Sequence, residues 1–295
     1  MRVLIAGAGG LIGSALRTQL EADGHEILKL VRRERRASDE YRWFPTARVI
    51  DPGLVASVDA VVNFSGASIG RLPWTPSYKR EILRSRIDAT WTLADAIVNS
   101  PTPPATFLSA SAVGFYGDRG DEALEETAAK GEGFLSDVTD AWEQAANIAS
   151  HSTRVVTFRT GVVVGDGGAF TPLQLLTKLG LGATLGTGTQ WWPWISVHDE
   201  AAAVRHLLTS ELSGAVNLAG PTPAQSHEVT SELADALHRW HPWRIPEPVV
   251  QLALREPGRE LLLASQKLIP KRLVDDGFGF EHTTVQQAIA AVFGR

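Results

Sequence analysis

Short aliphatic runs alternate with longer stretches of helical spacing through the first 165 residues. Val3–Ala6 reads as a buried strand and Leu11–Asp23 as a helix closed by Gly24. Glu26–Val31, Asp59–Phe64, Thr106–Ala110 and Val155–Thr160 read as further strands. Helices are predicted over Ile82–Val98 and Phe134–Ser150, with Phe134, Val138, Ala141 and Ala145 along one face of the second. Such alternation predicts an α/β protein with a parallel sheet covered on both sides. After Gly165 the pattern loosens. Glycines cluster as far as Gly188, the aromatic run Trp191-Trp192-Pro193-Trp194 follows, and Val197–Thr209 and Val216–Ala219 read as one more helix and strand. From Pro221 onward, prolines cut the tail into short helical pieces. The predicted division is residues 1–165, with 196–220 returning to them, and a smaller, mostly helical unit of 166–195 and 221–295. Asp118–Glu126 reads as a solvated acidic loop.

The first strand leads straight into Gly7-Ala8-Gly9-Gly10-Leu11-Ile12-Gly13 and the first helix. Gly7 permits the tight turn, Gly10 lets the backbone approach a pyrophosphate, and Gly13 allows close packing of helix on strand. The helix start then offers N–H groups and partial positive charge to phosphates, with Leu11 and Ile12 at its first turn. In this strand–turn–helix context the loop predicts a Rossmann-type, doubly wound sheet that binds a dinucleotide. The end of the second strand chooses the dinucleotide. An NAD site carries an acid there to bond the ribose 2′-hydroxyl. This chain has Val31-Arg32-Arg33 instead, with Glu34 the nearest acid. A guanidinium pairs with a 2′-phosphate. NADP(H) is therefore the expected cofactor, with Arg32 as main contact and Arg33 beside it. Glu34 leaves NAD as the alternative.

Composition narrows the rest. The 295 residues carry a formal charge of −5 and no cysteine. Absence of cysteine excludes disulfides, cysteine–zinc sites and thiol nucleophiles, and no metal-ligating pattern is present. The acidic balance gives no reason to expect nucleic acid or an anionic membrane as a partner. The N-terminal apolar run is too short for a signal peptide, and no stretch reaches the ~18–20 apolar residues of a membrane span. A cytoplasmic protein acting on a small molecule is expected.

The motifs together resemble the extended short-chain dehydrogenase/reductase family, which contains the sugar-nucleotide epimerases and dehydratases. The marks are the Gly7–Gly13 loop, Asn63-Phe64-Ser65-Gly66, Ser109-Ala110-Ser111 leading to Tyr116-Gly117, Arg159-Thr160-Gly161-Val162, and Trp194-Ile195-Ser196-Val197-His198-Asp199. A narrower resemblance rests on Trp74 with Lys79 and Ser85-Arg86-Ile87, then Leu261-Leu262-Leu263 through Gln266, Pro270 and Gly277-Phe278. It is to a subfamily named for nucleoside-diphosphate-sugar epimerases that ends in a short domain of unassigned function. The resemblance implies a seven-stranded sheet, with the smaller unit over the carboxyl ends of its strands. It further implies that Phe64, Ser65, Gly66, Arg86 and Val162 lie along the cofactor, and that the small-molecule substrate is a sugar nucleotide.

Members of the wider family use Ser, Tyr and Lys, the last two spaced i,i+4 on one helix. This chain has no Tyr-x-x-x-Lys. The family spacing counted back from Glu143 puts Leu135 and Thr139 at those places, or Phe134 and Val138 one residue earlier. Ser111 remains as a substrate hydroxyl contact, with Ser109 as the register alternative, and Tyr116 as a substitute acid. His198-Asp199 is a further proton-transfer pair, or Asp199 a helix cap. The tryptophans at 191, 192 and 194 either stack on substrate or pack between the two units. Two functions follow: an NADP-dependent epimerase or oxidoreductase, or a protein that senses NADP(H) without turnover.

Overall fold

The computed structural model describes residues 1–168 and 170–294; Ala169 and Arg295, which fall in the predicted smaller unit, lie outside the described residues. Seven parallel strands form the central sheet: β1 Arg2–Ala6, β2 Glu26–Val31, β3 Glu40–Arg42, β4 Ala60–Asn63, β5 Thr106–Ala112, β6 Arg154–Thr160 and β7 Gly214–Leu218. Their spatial order is β7-β6-β5-β4-β1-β2-β3. The order reverses between β1 and β4, which opens a crevice at the carboxyl ends of those strands.

The interior strands are apolar on both faces, as a sheet covered twice requires. Val3 to Ala6 and Val61 and Val62 are wholly buried. One face packs against α1 (Leu11–Ala22) and α4 (Val197–Thr209), with Leu16, Leu20, Val204 and Leu207 in the seam. The other packs against α2 (Pro76–Val98) and α3 (Phe134–Asn147), through Ala89, Leu93, Ile97 and Ala146. A further apolar cluster joins Trp192, Trp194 and Phe170 to α5 (Ser226–Ala236) and α6 (Val285–Phe293). Trp192 and Trp194 are buried there, which removes them from any stacking role; Trp191 remains half-buried, its indole donating to Asp121.

Three local expectations change. β3 was not foreseen, being a three-residue edge strand of Glu, Tyr and Arg. α2 begins two turns before Ile82, because Thr75 caps it and Pro76 suits the first turn. The acidic stretch 118–126 is not wholly solvated: Leu124 is buried, and the Glu126 carboxylate accepts from the backbone N–H of Asn217 and Arg272.

Candidate functional site

The crevice has two ends, one expected to meet phosphate and one expected to carry the chemistry. At the phosphate end, Gly7 turns the chain with φ +88°, a conformation L side chains rarely adopt. Its carbonyl accepts the Gly10 N–H at 3.0 Å. At Gly13 a Cβ would collide with the Gly7 carbonyl and lie 2.9 Å from Ala8 Cα. Only a hydrogen fits there, so α1 starts pressed against the end of β1. No side chain caps α1. The other three helices on the sheet are capped: α2 by Thr75 and α4 by Ser196, while Glu260 bonds the first turn of α3. The Leu11 side chain sits at this start, against Gly165 and Gly168 from the next segment. Ile12 packs on the sheet core nearby.

Beside the loop lies a cavity of about 490 Å³, lined by Gly7, Ala8, Gly9, Arg17, Lys29, Arg32, Arg33 and Glu40. Its cations are in unequal states. Arg33 forks onto Glu40 with two bonds of 2.7 Å. The Glu40 carboxylate also accepts the Arg36 N–H at 2.7 Å. The Arg33 guanidinium and then the Arg36 amide hold that carboxyl far below its usual range, at about 2. Lys29 pairs with Asp39 at 2.7 Å, and Arg17 lies 3.5 Å from Glu21. Arg32 is exposed and has no acid partner among the described residues. Sequence reasoning missed Arg17, which α1 delivers to this cavity from its second turn.

On the far side of the loop, Phe64 packs edge-on against Phe158 with ring centres 5.6 Å apart. The Ser65 N–H bonds the Asn63 side chain at 3.0 Å, which bends the chain away from β4. Gly66 lies against Arg86. Arg86 donates to the carbonyls of Ala67 and Ile82 and stacks over Trp142, 5.0 Å from its ring centre. Burial lowers this guanidinium to about 10, so at neutral pH it is a charge with carbonyls but no carboxylate partner.

The chemical end is built differently. Val162 is fixed by its N–H bond of 2.7 Å to the Pro193 carbonyl. Leu135, Thr139 and Glu143 follow each other on one face of α3, and all three are buried. Leu135 packs with Trp74, Tyr78 and Val138. The Thr139 hydroxyl is turned back onto the Leu135 and Ser136 carbonyls. The places that resemblance assigns to tyrosine and lysine thus hold no titratable group.

Ser111 and Tyr116 join a closed network instead. Ser111 donates to Glu143 at 2.6 Å and is 3% exposed. Arg159 forks onto the same carboxylate at 2.8 and 2.9 Å. Arg159 also donates to the Tyr116 hydroxyl at 2.8 Å, and that hydroxyl donates to Asn217 at 2.6 Å. Tyr116 is fully buried, and burial pushes its phenol above the ordinary value despite Arg159 beside it. The Tyr116 oxygen is therefore already engaged by Arg159 and Asn217, and the side chain is fully buried. His198 and Asp199 do not form a proton-transfer pair. His198 meets Glu281 at 2.8 Å. Asp199 accepts from Ser196 and from the backbone of Glu281 and His282, fastening the tail to α4. Ser196, not Asp199, caps the helix.

Residues 3–219 match the NAD dependent epimerase/dehydratase family. The chain belongs to that family. Residues 245–292 match a domain of unknown function, DUF1731. An epimerase family protein of Mycobacterium tuberculosis is 40% identical over 290 residues, covering 97% of this chain and 96% of the relative. The crystal structure of the human epimerase family protein SDR39U1 with NADPH superposes with TM-score 0.89 at 32% identity, covering 99% of each chain. A Corynebacterium glutamicum structure, described as a nucleoside-diphosphate sugar epimerase, gives TM-score 0.81 at 32% identity. All of this chain aligns there, to 58% of that one.

Proposed function

We propose that this protein binds NADP(H) in the crevice between β1 and β4 and uses it as an oxidoreductase or epimerase on a small-molecule substrate. One observation carries the cofactor choice: an uncapped helix start beside a basic cavity in which Arg32 alone has no acid partner among the described residues. The pyrophosphate lies over Gly10, Leu11, Ile12 and Gly13, the adenosine passes Phe64, Ser65 and Gly66, and the 2′-phosphate meets Arg32. Arg33 acts through its fork to Glu40 as the wall of that pocket. Arg86 supplies the unpaired charge on the opposite side, and Val162 borders the nicotinamide. The human relative's complex with NADPH supports the same choice. The bacterial relative's description favours a sugar nucleotide as substrate. The protein is proposed to work in the cytoplasm; no helix among the described residues is long and apolar enough to cross a membrane.

A second reading is favoured by the apolar face at Leu135 and the sealed Tyr116: a protein that senses NADP(H) without turning it over. In that reading the Ser111 hydroxyl serves only Glu143. Calorimetric titration of cofactor-free protein with NADPH and NADH tests the first claim. Preference for NADPH, lost in Arg32→Ala, is expected; equal affinity for both would overturn it. A substrate screen following NADPH absorbance separates the readings. Substrate-dependent oxidation identifies an enzyme, and tight binding without any turnover identifies a sensor.

A further inference from the structure

Large hydrophobic side chains are not exposed evenly. Eight of the fifteen among the described residues fall within two short segments, 175–181 and 240–252. Trp240 and Leu252 are each 83% exposed, Leu179 65% and Trp243 59%. The segments form one face. Arg239 Nε donates to the Lys178 carbonyl at 3.0 Å, and residues 243–245 pair in parallel with 183–185, Trp243 opposite Ala183. The helix Glu247–Leu254 leaves directly from that strand, burying Val250 and turning Leu252 outward.

Charge on this face departs from that of the whole molecule. Residues 170–182 and 237–255 contain Lys178, Arg239, Arg244 and Arg255 against one acid, Glu247, a balance of +3 in a chain of −5. The overall charge gives no reason to expect an anionic membrane; the local balance of this face does. An apolar patch of this density on a soluble protein marks a docking surface. A second copy is disfavoured, because a twofold axis would set +3 against +3. Tryptophan, leucine and a rim of arginine and lysine suit an interface that is apolar below and anionic above.

We propose that this face docks the protein peripherally on an anionic lipid surface, with Trp240, Trp243, Leu179 and Leu181 inserted and Lys178 and Arg244 among the headgroups. The test is co-sedimentation of the full-length protein with phosphatidylcholine vesicles, with and without phosphatidylglycerol. Partition onto the anionic vesicles, a blue shift of tryptophan emission and release by salt are expected. Trp240→Ser with Trp243→Ser should lower that partition about tenfold, leaving NADPH affinity and melting temperature unchanged. Lys178→Glu should weaken only the anionic preference. No binding to either vesicle at low salt, or equal binding to both, would overturn the proposal. So would a concentration-dependent dimer, seen by light scattering, that dissociates in the double serine variant; the face would then belong to a second copy.

Discussion

The two ends of the crevice are made of opposite materials. The phosphate end is backbone: glycines, an uncapped helix start and one unpaired arginine. The chemical end is side chain: an apolar contact at Leu135 and an ion pair, Glu143–Arg159, closed over by Ser111, Tyr116 and Asn217. A site that leaves N–H groups and a cation unanswered is built to receive something charged. A site that answers each of its own polar groups is built to stay shut. The difference separates holding a cofactor from acting through it.

The strongest challenge to the comparison is Gly13→Val. The added atoms would strike the Gly7 carbonyl and Ala8, forcing α1 off β1. Loss of measurable NADPH binding is expected, with a stability cost of about 1–3 kcal/mol from overpacking; unchanged binding by calorimetry would show that the loop is only a turn. Arg32→Ala comes next. Losing a charge-assisted contact of about 1.5–3 kcal/mol should weaken NADPH about ten- to hundredfold and leave NADH unaffected. Arg33→Ala should do less, since its guanidinium is already held by Glu40.

At the closed end the effects should appear in stability. Tyr116→Phe removes the acceptor for Arg159 and the donor for Asn217, at a cost of about 1–3 kcal/mol. Thermal unfolding should register it while NADPH affinity holds; an intact melting temperature with lost turnover would return Tyr116 to the chemistry. A pH-dependent effect concerns Glu200, buried beside Thr160 at the end of β6. Burial raises its carboxyl from 4.5 to about 8, so the folded state holds a proton that the unfolded chain releases. Stability should therefore fall as pH rises from about 4.5 towards 8 and level off above it, by about 1 kcal/mol between pH 7 and 8. Glu200→Gln should flatten that slope in urea titrations; an unaltered slope would assign it to other groups.

The phosphate end was legible in the sequence because its parts are local. Strand, glycines and helix are contiguous, and Arg32 stands where the second strand must stop. The closed end was not, because Glu143, Arg159, Tyr116 and Asn217 come from four separate elements and meet only once the sheet is ordered. Reading Tyr116 as an acid required knowing its burial, which neighbours at positions 115 and 117 do not reveal. β3 hid for a related reason: a short edge strand carries little hydrophobic period.

One carboxylate has a consequence for how the protein can be divided. Glu260 reaches from the last quarter of the chain to the first two turn amides of α3, at 3.0 and 2.7 Å. The helix that carries Leu135 and Glu143 is thus stoppered by a residue made more than a hundred positions later. A fragment ending before it would leave those two N–H groups at the start of the helix without their acceptor. During synthesis those two amides stay without this acceptor until residue 260 has been made, so the start of the helix is completed late.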